Sequence, residues 1–228
     1  MKRLSLCCVF ALTLSFARAE AAAITNGSFE TGDFTGWTVS NPLGLSSIGV
    51  FLPAGEASVG TGVLGLTPFE GSYVAAIGTG DSFFVDGQGT FDIVATQTFD
   101  LGAGSTLSGW SRFYNGDFEP QDTAWVRIYD SGGAILATLW TQSSGGLDPG
   151  DPNTVPYHSS TNWTEWSWSA LTGGTYTLAL GATTFGDDRL SSIGLHDGIH
   201  VTETSVPEPA TLSLLAIGLV LVLVRPRP

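Results

Sequence analysis

The stretch Thr123–Trp140, "TAWVRIYDSGGAILATLW", constrains the fold more than any other. Trp125, Arg127 and Tyr129 alternate with Val126 and Ile128, Ser131-Gly132-Gly133 turns the chain, and Ala134–Trp140 returns. A period of two on both sides of a Gly-containing turn is the signature of a β-hairpin. The same pattern recurs elsewhere. "GSYVAAIG" (71–78) is a buried apolar run and "ATQTFDL" (95–101) alternates. "STLSGWSRFY" (105–114) puts Leu107, Gly109, Ser111 and Phe113 on one face and Trp110, Arg112 and Tyr114 on the other. "NWTEWSWS" (162–169), "GTYTLALGA" (174–182) and "GIHVTET" (198–204) read as further strands. Long loops are expected at 84–92 and 143–156. No stretch between the two ends of the chain keeps a helical period. Close-spaced strands without a linker predict an all-β fold, a single β-sandwich over residues 24–204.

The two ends read differently. Lys2 and Arg3, the apolar run Leu4–Phe16 and the Ala17-Arg18-Ala19 pattern form a secretory signal peptide, assigned to residues 1–23. It implies export through the Sec machinery. Both cysteines, Cys7 and Cys8, lie in that segment, so the exported body has no disulfide, thiolate ligand or cysteine nucleophile. At the other end, 210–224 is an uncharged run flanked by Arg225 and Arg227. As a helix it would reach about 22 Å, short of a hydrocarbon core of about 30 Å. This is a short transmembrane helix with its arginines on the cytoplasmic side, suited to transient insertion in the inner membrane.

Charge narrows the partners. Without its two ends the chain keeps three of eight basic residues and 19 of 21 acidic ones, a net charge of about −16, with no lysine. Such a surface repels phosphate backbones and makes nucleic acid a poor partner, so none is expected, while remaining compatible with divalent cations.

At Val206-Pro207-Glu208-Pro209-Ala210-Thr211-Leu212, followed by the apolar run and the terminal arginines, the tail resembles the PEP-CTERM sorting signal of Gram-negative bacteria. The resemblance spans about 23 residues, 206–228, within a sorting segment assigned to 205–228, and the Arg225-Pro226-Arg227-Pro228 end departs from that family's unbroken basic cluster. It implies recognition by exosortase near the Pro-Glu-Pro, an inner-membrane intermediate, then the cell surface or exterior, in association with exopolysaccharide. The body resembles the galactose-binding-like jelly rolls of carbohydrate-binding modules, through "ITNGSFETGDFTGWTV" (24–39) and the strands near 95–110 and 174–201. That resemblance implies a structural Ca²⁺ where first and last strands meet, with Glu30, the backbone near Gly32, and Asp197 as ligands. Waters would complete the six to eight oxygens Ca²⁺ takes.

Three functional readings follow. The first is a non-enzymatic surface or matrix protein. The second is a carbohydrate-binding module, with Trp163, Trp166 and Trp168 as candidate stacking platforms; alternation puts Trp166 and Trp168 on one face and Trp163 on the other. The third is a secreted hydrolase, for which no nucleophile elbow and no histidine triad setting occurs. His196 and His200 are four apart, but beside Gly198 they read as a strand entry, where helical adjacency lapses.

Overall fold

The computed structural model describes residues 24–41, 48–51, 67–79, 91–117, 120–145, 154–184 and 192–203. The signal peptide, the tail from Val206 onward and most of the 84–92 loop lie outside these. Among the described residues every regular element is a strand, and no helix is long and apolar enough to cross a membrane.

The strands are β1 (Thr38–Ser40), β2 (Ile48–Phe51), β3 (Val74–Gly78), β4 (Phe91–Leu101), β5 (Thr106–Asn115) and β6 (Pro120–Asp130). They continue as β7 (Ile135–Gly145), β8 (Thr154–Val155), β9 (Ser159–Ser160), β10 (Thr164–Ser169), β11 (Gly174–Thr184) and β12 (Ile193–Thr202). One sheet has the order β1-β4-β11-β6-β7-β8; the other runs β10-β5-β12-β3-β2, with β9 paired to β5. All pairings are antiparallel except β7 with β8. The result is a jelly-roll β-sandwich, as the strand pattern implies.

Alternation explains why the sheets face each other as they do. In β4, Ile93, Ala95, Phe99 and Leu101 are buried, while Asp92, Thr98 and Asp100 are exposed. In β11, Tyr176, Leu178, Leu180 and Ala182 point into the same core, joined from β6 by Ala124, Val126 and Ile128. Leu107 and Phe113 of β5 close it from the opposite sheet. Each fully buried aliphatic or aromatic side chain contributes roughly 1.5–3 kcal/mol, which lets a body without disulfides stand on its core.

The β6–β7 turn is where the sequence put it. Asp130 Oδ1 accepts from the N–H groups of Gly132 and Ala134, and Gly133 takes φ 83°. Two strands run further than the sequence pattern showed. β7 continues to Gly145, into the stretch read as loop, and β8 lies within it. β12 begins at Ile193, five residues before the expected start. Gly198 explains the difference: it sits at φ 59° in a bulge between Asp197 and His200, which interrupts the alternation within one strand. The bulge also sends the two histidines to opposite faces. His196 pairs across from inward Ser111, and His200 from Ser108.

Candidate functional site

The outer face of the β1-containing sheet carries a groove of about 420 Å³. Its floor comes from alternate residues of three adjacent strands: Asp92, Val94 and Thr96 of β4, Thr177 and Ala179 of β11, and Trp125 and Tyr129 of β6. Asp130, Ser131 and Gly133 of the hairpin turn form one rim. Register fixes the rows. Gly181 lies between Val94 and Trp125, Ala179 between Thr96 and Arg127, and Thr177 between Thr98 and Tyr129.

The small residues in β11 shape this surface. Trp125 lies across Gly181 so closely that a β-carbon there would enter its ring. The indole is 2% exposed, and the Arg127 guanidinium caps its other side, 4.0 Å from the ring centre. Trp125 Nε1 donates to Thr183 Oγ1 (2.9 Å), which donates to Asp92 Oδ1 (2.6 Å). Further along, Thr98 and Thr177 share a hydrogen bond, and Thr175 donates to Asp100. The face therefore offers hydroxyls, carboxylate oxygens and the half-buried Tyr129 ring, held in fixed positions over the buried Trp125 indole. That combination can hold a polyhydroxylated ligand; no nucleophile–base pair lies among these residues.

Glu30 and Asp197, the candidate Ca²⁺ ligands, lie elsewhere: Asp197 on β12, the central strand of the other sheet, and Glu30 in the turn before β1. Asp197 Oδ2 accepts from the backbone N–H groups of Phe69 (2.9 Å) and Glu70 (3.1 Å), and its Oδ1 from Gly198. Glu30 Oε1 accepts from Ser72 (2.8 Å) and Tyr73 (2.9 Å). Burial pushes the Asp197 carboxyl up to about 6; the three N–H donors oppose that shift and the nearby Glu70 charge adds to it. Gly32, at φ 77°, lies beneath the Tyr73 ring. The two side chains thus converge on one short segment, and what they bind there is backbone. Among the described residues no group of three or more His, Cys, Asp or Glu side chains gathers, so the remaining oxygens for a Ca²⁺ would have to come from backbone carbonyls and water.

The tryptophans of the 162–169 stretch take structural places. Trp166 is 4% exposed and donates through Nε1 to Ser111 Oγ, so it is core and not a stacking platform. Trp168 is half-buried, edge-on to Tyr176 against the same core. Trp163, on the opposite face, packs beside Val74, Ala76, Ile193 and Leu195 and donates to Thr67 O. It also meets Phe69 edge-on, and Phe69 in turn stacks on Trp110 at 4.1 Å. The alternation separated these rings correctly, but the groove lies on the other sheet.

The histidines are dispersed. His196 is wholly buried, its Nδ1 2.9 Å from Ser111 Oγ, and burial holds its pKa down at about 3, so the ring is neutral. His200 bonds to Ser108 Oγ and, by Nδ1, to Gly198 O. His158 stacks on Tyr157 in a turn at φ 57°.

Trp125, Arg127 and Tyr129 share a face in the sequence pattern alone. Their companions on β4 and β11 do not announce themselves, because strand neighbours far apart in the chain cannot be paired from one sequence. The available signal was the threonine- and aspartate-rich outward set of both strands and the glycine in the middle of β11.

Fold and tail together define an exported all-β surface protein. Residues 205–227 match the PEP-CTERM protein-sorting motif. The motif marks a chain sorted by exosortase, through a membrane-anchored intermediate, to the cell surface. No curated protein sequence matches the chain. Among solved structures, the TmCBM61 module in complex with β-1,4-galactotriose is 16% identical, covering 78% of this chain and 96% of that one, at TM-score 0.46. The K3 cleaved adhesin domain of Lys-gingipain from Porphyromonas gingivalis is 14% identical, covering 80% and 100%, at 0.48. The CBM22-1 xylan-binding domain of Paenibacillus barcinonensis Xyn10C is 15% identical, covering 78% and 94%, at 0.41. The strand pairing described above carries the architecture by itself.

Proposed function

We propose that this is a non-enzymatic glycan-binding protein of the cell surface, exported through the Sec machinery, released to its destination by exosortase, and held in the producer's exopolysaccharide by the groove on the β4–β11–β6 face. One observation carries the reading: an open groove of about 420 Å³ combining hydroxyl, carboxylate and aromatic groups on three rigid strands. Sugar sites need such convergent polar groups over an apolar floor, and sites on strands are more precise than sites on loops. The hydrolase reading has less support, since a glycosidase needs a carboxylate pair at set separation with one pKa raised, and Asp197, a carboxyl raised by burial, lies on the other sheet, bound to backbone N–H groups.

The reading includes a structural Ca²⁺ at Glu30, the backbone near Gly32, and Asp197. It is supported by the convergence of both carboxylates on Phe69–Tyr73 and by the buried Asp197 carboxyl, whose charged form a cation would favour.

A glycan array probed with the purified protein tests the binding claim, with Tyr129→Ala as the groove variant. Binding by the wild type and loss in the variant support it; a wild type that retains no glycan, with polysaccharide hydrolysis in its place, overturns it.

A further inference from the structure

We propose that the glycan bound in this groove is acidic, with Arg127 receiving a uronate carboxylate; this rests on the glycan-binding reading above. Arg127 is one of only three arginines in a body with 19 acidic residues and no lysine. A cation in such surroundings finds an acidic partner unless it is held away from one, and Arg127 is held away. It points outward from β6, and its cross-strand neighbours are Ala179 on β11 and Thr138 on β7, neither charged. The two groove carboxylates are engaged elsewhere. Asp92 Oδ1 accepts from Thr183, and Asp130 Oδ1 from the turn N–H groups of Gly132 and Ala134. What holds the guanidinium is the Trp125 ring, 4.0 Å beneath it.

A guanidinium over a ring keeps its N–H groups around its edge, free for a ligand. Stacking also fixes the plane in advance, so little side-chain freedom is lost when a carboxylate docks on two parallel N–H groups. Trp125 is itself immobilised on Gly181 and through Thr183, so the cation stands on a rigid support beside two residues that line the groove, Trp125 and Ala179, without lining it itself. A neutral sugar would use the threonine hydroxyls and the Tyr129 ring but leave Arg127 without a counter-charge. The body's charge of about −16 opposes a polyanion at long range, but beyond about 8 Å that repulsion is screened at physiological salt. Within the groove the Asp92 and Asp130 carboxylates oppose an anion too, so the selective contact is the short, paired one with the Arg127 fork.

The test uses the purified full chain at physiological salt with polygalacturonate, alginate and hyaluronate, each beside its carboxyl-reduced, neutral counterpart. The wild type is expected to bind at least one acidic polymer about tenfold more tightly than its reduced form, one charge-assisted pair's worth. Arg127→Gln is expected to abolish the preference while leaving the residual affinity for the neutral form. Arg127→Lys, which keeps the charge without the fork, is expected to retain only part of it. Unchanged thermal midpoints show that both variants fold. Equal binding of acidic and neutral forms overturns the inference and leaves the glycan reading standing, as does a preference that survives Arg127→Gln. Binding to no polymer of either kind overturns both.

Discussion

Glu30 and Asp197 grip the same short segment of chain: Asp197 takes the N–H groups of Phe69 and Glu70, and Glu30 takes those of Ser72 and Tyr73. One residue comes from the first described turn and the other from β12, so the pair ties distant parts of the body together without a disulfide. The first turn is also tied to β12 directly, by the bond from Ile199 N–H to Gly27 O. Removing the buried partner should be the costlier change. Asp197→Ala strands three N–H donors and should lower stability by at least about 2 kcal/mol. Glu30→Ala, at an exposed site, should cost less, and the double variant less than the sum, because both hold one segment. Urea unfolding of the four species checks this; strict additivity would show that the two grips are independent.

The Ca²⁺ proposal makes a separate prediction at this site. Metal bound only by the folded state raises the melting temperature by mass action. Excess EDTA should therefore lower the midpoint of the wild type and leave a Glu30→Gln, Asp197→Asn variant unmoved. A wild-type midpoint indifferent to EDTA and to added Ca²⁺ would mean that the backbone grip is the whole function of these carboxylates.

Two neighbours, His196 and Asp197, should oppose each other in pH dependence. Asp197 has its pKa raised to about 6 by burial, against about 3.9 unfolded. Between those values the folded state binds the extra proton, so acidification from pH 6 to 4 stabilises the fold. His196 has its pKa lowered to about 3 by burial, against about 6.5 unfolded. Below pH 6.5 the unfolded state binds the extra proton, so acidification destabilises the fold. Each proton is worth about 1.4 kcal/mol per pH unit. The two slopes cancel from about pH 6 to 4, and stability falls below that. In the presence of chelator, His196→Gln should become more stable from pH 6 to 4, and Asp197→Asn less stable from pH 6.5 downward. Flat profiles in both variants would contradict the assignment.

The tryptophans separate by role. Trp166→Ala removes a core ring and its bond to Ser111, and should cost about 3–5 kcal/mol of stability. Trp163→Ala, at the half-buried outer cluster, should cost clearly less. Neither is expected to change glycan affinity in the molecules that remain folded. Chemical unfolding and a binding titration of each variant check both statements, and loss of binding on removing Trp163 would move the site to the other sheet.

What the sequence revealed and what it withheld have physical causes. Alternation is local, so 123–140 and 105–114 disclosed their strands and both faces. The outward threonines of β4 and β11 carry meaning only once Thr177 is set between Thr98 and Tyr129, a long-range pairing that no local pattern encodes. The bulge at Gly198 broke the period within β12, which is why that strand read as starting late. Glu30 and Asp197 were brought together by resemblance, and the structure shows that the segment between their carboxylates is Phe69–Tyr73. Trp166 read as a candidate platform because a core ring and a surface ring look alike in an alternating strand.

Gly181 is the most economical probe of the groove's architecture. Its β-carbon would enter the Trp125 ring, so Gly181→Ala should lift the indole and with it Arg127. Overpacking of this kind costs typically 1–3 kcal/mol. Tryptophan fluorescence should report the displaced ring while the cooperative unfolding transition persists. A variant with wild-type fluorescence and stability would show that Trp125 is not seated as described.

The central claim is that the β4–β11–β6 groove binds glycan, and calorimetric titration of the purified protein with polysaccharide extracted from the producing cells tests it most directly. The account predicts saturable binding by the wild type, weakened tenfold or more by Tyr129→Ala and untouched by Leu171→Ser, a change at a 92% exposed loop residue that does not line the groove. Equal affinity in wild type and Tyr129→Ala, or no heat of binding to any fraction of that polysaccharide, would contradict it.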